Sequence, residues 1–157
     1  MTEQNLTLTW TSFFLKYPGH LFMTIRLPRA RAPEEADRHT RKALYEIAKH
    51  YRAKVSAVGV RVFTRDKNGR HAHLLIETDS EAFRLLDNRP NAEGKRPALP
   101  ISRYRRTILD HIDALDISPV DDINRIAGYM AQNMAEHGQD AELIRINDRR
   151  QRLLQAT

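Results

Sequence analysis

The chain has 157 residues, 41% hydrophobic and 29% charged, with no cysteine and a formal net charge of +6; this is the make-up of one globular domain rather than of a disordered chain. The missing cysteines exclude disulfides, thiolate metal sites and cysteine nucleophiles, so any metal must be held by nitrogen and oxygen ligands. No apolar run approaches the ~18 residues that span a bilayer and the opening lacks a signal-peptide pattern, which makes a cytoplasmic protein with no membrane partner the expectation.

The opening residues, about 1–18, mix polar and aromatic side chains without a clear period and read as an arm or a short strand. "HLFMTIRLP", His20 to Pro28, is apolar, β-branched and closed by proline, a buried strand. Pro33 and Glu34 open a helix with an apolar stripe through Ala36, Ala43, Leu44 and Ile47. Two strand-like runs follow, Lys54 to Thr64 and His71 to Thr78, and the Asn68-Gly69 pair between them signals a hairpin. Ser80 caps a short helix, and "ALDIS" reads as a strand running to Pro119. Asp121 or Asp122 caps, and Gly138 ends, a last strong helix; the remainder, about 139–157, reads as a helical tail. The order β, α, β, β, α, β, α predicts an α+β domain, a central antiparallel sheet of ferredoxin or RRM-like topology backed by helices, spanning residues 1–157.

Three patterns carry chemistry. His71 and His73 are two apart on a strand, so their imidazoles share one face and leave coordination positions open for a further ligand and a phosphate oxygen. Tyr129, Asn133 and His137 stand at i, i+4 and i+8 on the last helix, with Gln132 beside them. Arg89, Lys95, Arg96, Arg103, Arg105 and Arg106 crowd into one stretch opposed only by Glu93, a candidate phosphate contact or, equally, a solvated loop. Each pattern alone has an ordinary structural explanation.

Together, "RHAHLLIET" and the helix bearing Tyr129 resemble the HUH endonuclease superfamily, whose members cut single-stranded DNA with a His-hydrophobic-His pair on a central strand and a tyrosine on a later helix. The resemblance runs from about Leu21 to Met134 and is similar to rolling-circle replication initiators of plasmids and phages. Those proteins place lysine three residues after the tyrosine, where this chain has Gln132. Single-tyrosine transposases place an amide four residues after it, the slot of Asn133.

The resemblance implies Mg²⁺ or Mn²⁺ on His71 and His73, with Asn133 as third ligand and Gln132 and His137 as alternatives. It implies Tyr129 as the nucleophile that forms a 5′-phosphotyrosyl intermediate, and single-stranded or hairpin DNA as substrate in replication or another mobile-element process. Arg61, Arg65, Lys95, Arg96, Arg103, Arg105 and Arg106 are the expected phosphate contacts, with Tyr104, Phe63 or Trp10 stacking on bases. Without a Walker A motif, unwinding falls to a separate helicase and to replication proteins. The rivals are a single-tyrosine transposase, a degenerate DNA-binding relative, and a metal hydrolase using a carboxylate from Asp113 or Asp116. An RRM is disfavoured because "VGVRVFTR" lacks the aromatic RNA-binding stretch.

Overall fold

A computed structural model describes residues 2–101 and 111–147. In chain order the elements are α1 (Glu3–Phe14), β1 (Leu21–Arg26), α2 (Pro33–His50), β2 (Val55–Val62), β3 (His71–Thr78), α3 (Glu81–Arg84), β4 (Ala114–Pro119), α4 (Ile123–His137) and β5 (Ala141–Ile146). The strands form one antiparallel sheet in the order β4-β1-β3-β2-β5. The first four strands therefore follow the expected ferredoxin-like order, with β5 added beside β2.

The period of two along each strand divides the core between the faces. Leu21, Met23 and Ile25 of β1, Ala72, Leu74 and Ile76 of β3, and Leu115 and Ile117 of β4 point to one face, where Ala36, Ala43, Leu44 and Ile47 of α2 cover them. Val58, Val60 and Val62 of β2 and Leu75 of β3 point to the other, under Ile126, Ala127, Met130 and Ala131 of α4 and Phe14 of α1. Since β3 alternates, its odd positions His71 and His73 lie on the α4 side. Pro33 stands at the start of α2, Asp122 caps α4 by accepting from the N–H groups of Asn124 and Arg125, and Ser80 caps α3. Gly138 ends α4 at φ 50° and ψ −115°, a conformation that favours glycine.

Two terminal readings are corrected. The opening segment is a helix, α1, whose Trp10, Phe13 and Phe14 pack on the α4 side of the sheet with Tyr17 beyond them. Its threonines disguise it: Thr7, Thr9 and Thr11 donate their hydroxyls back to the carbonyls of Glu3, Asn5 and Thr7, so β-branched polar residues lie inside a helix without exposing unmet donors. Within the supposed helical tail, Ala141–Ile146 is strand β5, paired with β2 from Val62↔Ala141 to Ala57↔Ile146. Its alternate residues serve both cores, Ala141 and Leu143 on one side and Ile144 and Ile146 on the other, a period of two that the interspersed charges conceal. Residues 148–157 lie outside the described residues.

The hairpin holds, though not through a two-residue Asn-Gly turn. Val62 pairs with His71, leaving a longer loop in which Lys67–Gly69 is a single 3₁₀ turn capped by Asp66. Arg70 anchors that loop: it donates to the carbonyls of Thr64 and Ala30 and lies 4.0 Å over the Phe63 ring.

Candidate metal and nucleophile site

The site is assembled where the start of β3 meets the middle of α4. His73 faces Thr24 on β1 and Val60 on β2 in the strand register. Its Nδ1 is 2.8 Å from Thr24 Oγ1, its ring stacks on Phe22 at 5.6 Å and 11°, and Tyr129 meets it edge-on at 4.9 Å and 70°. These contacts fix the ring and leave Nε2 buried with no hydrogen-bond partner among the described residues. Burial, and secondarily the nearby charge of His71, pushes the pKa of His73 down to about 3, so the imidazole is neutral near pH 7 and holds its lone pair ready.

His71 is held from both ends. Nδ1 is 2.8 Å from the carbonyl oxygen of Gly69, which can only accept, so Nδ1 carries a proton. Nε2 lies 3.1 Å from Oδ1 of Asn133. The Asn133 amide is oriented by its own helix, since Nδ2 donates to the carbonyl of Tyr129 at 3.0 Å. With a neutral His71, two acceptors therefore face each other. Turning the amide only moves the mismatch, because Oδ1 would then oppose the Tyr129 carbonyl. A cation between Nε2 and Oδ1 removes it: a proton on the imidazole, or a metal ion held by both.

The unpartnered Nε2 of His73, on a ring 4.8 Å from that of His71, extends the same argument, since a proton there would find no acceptor while a metal ion would take its lone pair. The 3.1 Å separation is also the distance expected between neighbouring ligands at ~2.1 Å from a common ion in octahedral geometry. His71, His73 and Asn133 thus fit a divalent cation with open positions. Tyr129, one helical turn before Asn133, keeps 48% of its surface exposed beside this group.

Other expected members divide. His137 lies near the group, its ring centroid 6.2 Å from that of His71. Gln132 does not join it: its amide donates to Glu136 at 2.7 Å on the exposed side of α4, so the ligand alternative at this position is withdrawn. Arg61 is also corrected. It pairs in register with Ala72, not with a histidine, and so points to the α2 face, where it is 3% exposed and bonded to Asp37 at 2.9 Å and Glu142 at 2.7 Å. A buried, doubly paired guanidinium is a clip between α2 and β5, not a phosphate contact. Arg65 and Lys95 are exposed, while Arg96 pairs with Asp116. Trp10 packs on Phe13 and Phe14, and Phe63 carries Arg70, so each ring already has an intramolecular partner. Arg103, Tyr104, Arg105 and Arg106 lie outside the described residues.

Two features escape sequence reasoning. Thr24, which orients His73, is recognisable only through the β1–β3 register. A separate group, Glu35, His39 and His111, brings one potential ligand atom from each residue within 4.8 Å of the others; the i, i+4 spacing of Glu35 and His39 is the available signal for it. Among the described residues no helix is long and apolar enough to cross a membrane. No protein-family model, curated protein or solved structure matches this chain.

Proposed function

We propose that the chain is a metal-dependent enzyme that nicks single-stranded DNA and transfers the strand through a covalent bond to Tyr129. One observation carries this reading: an exposed tyrosine on α4 stands in edge contact with His73, whose ring meets that of His71, itself bonded to Asn133. A neutral ligand set leaves a divalent cation its full charge, and when bound that cation would neutralise and orient a phosphodiester.

In this mechanism His71, His73 and Asn133 would hold Mg²⁺ or Mn²⁺. The Tyr129 hydroxyl, its proton passed to solvent, attacks phosphorus; the bond to the 3′ oxygen breaks, and that oxygen takes a proton from water. The products are a 5′-phosphotyrosyl protein and a free 3′ hydroxyl, which can reverse the reaction on the same or another strand. Arg65 and Lys95 are exposed cations suited to flanking phosphates. The amide four residues after the tyrosine, directed at His71, supports the arrangement expected of single-tyrosine transposases; a replication role is served equally well by the same chemistry.

The test is cleavage of labelled single-stranded DNAs carrying hairpins, with Mn²⁺ or with chelator, by the native chain and by Tyr129→Phe. Metal-dependent cleavage abolished by the substitution, with DNA binding retained, is expected. Cleavage that survives in Tyr129→Phe would transfer the chemistry to a metal hydrolase, and DNA binding with no cleavage of a cognate strand would reduce the protein to a binding relative.

A further inference from the structure

On the opposite face of the sheet, α2 and the residues entering β4 bring together a second set of imidazoles. His39 is 6% exposed, on the sheet side of α2, and its ring stacks on that of His111 at 4.3 Å and 10°. Its Nε2 lies 3.3 Å from Oε1 of Glu35, one helical turn earlier, and Oε2 of the same carboxylate accepts from the backbone N–H of Arg31. Because a carboxylate accepts only, the proton of His39 lies on Nε2, and Nδ1 is left as a buried lone pair.

Among the described residues that nitrogen has no partner, and neither does the buried Nδ1 of His111. Two unsatisfied imidazole nitrogens in one small group are costly, since each forgoes the hydrogen bond it had in water.

We propose that Glu35, His39 and His111 form a second metal site, separate from the nucleophile, that takes a transition-metal ion of the zinc class and ties α2 to the start of β4. The chemistry of the donors selects the ion: two imidazoles with one carboxylate suit Zn²⁺ or Co²⁺ rather than Mg²⁺. The three donors already lie close together. One potential ligand atom from each residue lies within 4.8 Å of the others, and turning the two parallel rings toward a common point would bring them to the roughly 3.3 Å spacing of ligands ~2.0–2.1 Å from a tetrahedral centre. The site joins segments far apart in sequence, because His111 precedes Asp113, whose N–H donates to the carbonyl of Arg26 at the end of β1. An ion there would fasten the first turns of α2 to the edge of the sheet that β4 forms, and act on stability rather than on cleavage.

The experiment uses the full chain carrying His71→Ala and His73→Ala, so that the first site is removed. Metal-free protein is titrated with Co²⁺ alone while visible d–d absorption is followed, then with Zn²⁺ alone while Tm is measured. One equivalent of Co²⁺ should produce an intense absorption of tetrahedral type, and Zn²⁺ at a hundredfold excess over its Kd should raise Tm by roughly 5–10 °C. Adding His111→Ala or, separately, Glu35→Gln should abolish the absorption and most of the Tm shift, with circular dichroism verifying that the metal-free variants are folded. If His111→Ala fails to fold, Glu35→Gln decides alone, since it keeps the volume and the hydrogen-bonding oxygen. Absence of Co²⁺ absorption and of any Zn²⁺-induced Tm shift in the double-alanine chain would overturn the proposal. So would an unchanged signal in the folded variants.

Discussion

Each face of the sheet carries a pair of histidines in ring contact, and the pairs differ in everything around them. His71 and His73 meet at 4.8 Å and 65°, beside an amide oxygen and an exposed tyrosine. His39 and His111 stack nearly parallel, beside a carboxylate, with the apolar core of α2 behind them. An all-neutral donor set leaves a cation its full charge, which is useful for chemistry on a phosphate, whereas a carboxylate offsets part of that charge; it is the distance from Tyr129, not the donor set, that separates the second group from cleavage. Two histidines close together therefore say little about function until the third donor and the nearest nucleophile are known.

Substitution separates the two pairs most visibly. His73→Ala should reduce metal-dependent cleavage by well over a hundredfold, given that loss of an outer-shell partner alone typically costs 10–100-fold; His111→Ala should leave the cleavage rate per folded molecule unchanged. Equal losses in the two variants, read as single-turnover rates, would erase the distinction. Phe14→Ala tests the support of the first pair, because Phe14 is fully buried between α1, α4 and the sheet. It should cost about 3–5 kcal/mol in denaturant unfolding, and a cost under about 1 kcal/mol would mean that α1 is not part of that layer.

Thr24→Val is a finer probe, removing only the group that orients His73. Affinity for Mn²⁺ should fall about 10–100-fold while the fold persists, as isothermal titration would record. The most gradual effect is in pH. His73 is held neutral in the folded chain, to about pH 3, while the unfolded chain protonates it near pH 6.5. Its linkage leaves stability intact above about pH 6.5 and erodes it as the pH falls toward 3, by up to about 1.4 kcal/mol per pH unit. Metal-free protein should show that slope in excess of a His73→Gln variant, and parallel profiles would show that burial does not hold the ring neutral.

Much of this molecule is legible in its sequence. The strand bearing His71 and His73, the α4 helix with its Asp122 cap and Gly138 end, and the ferredoxin-like order all follow from periodicity and turn chemistry. What escapes is whatever depends on register or on local disguise. Arg61 reads as a surface cation because charge is visible in a sequence and facing is not; its pairing with Ala72 turns it toward Asp37. α1 hides behind threonines that satisfy their hydroxyls within the helix, and β5 behind a strand whose two faces both carry buried residues while charges interrupt it. The convergence of Asn133 Oδ1 on His71 rests on a hydrogen bond to the Tyr129 carbonyl that spacing alone suggests but does not require.

If the proposed chemistry holds, Tyr129 becomes covalently joined to DNA beside the His71, His73 and Asn133 group. Mass spectrometry reads this bond without intermediary, on protein reacted with single-stranded hairpin DNA and Mn²⁺, then trimmed with nuclease and digested by protease. The expected product is a peptide containing Tyr129 with its mass increased by a 5′-linked nucleotide, present with metal and absent with chelator. DNA cut with a metal requirement but with Tyr129 unmodified, or a nucleotide attached to a different residue, would contradict it.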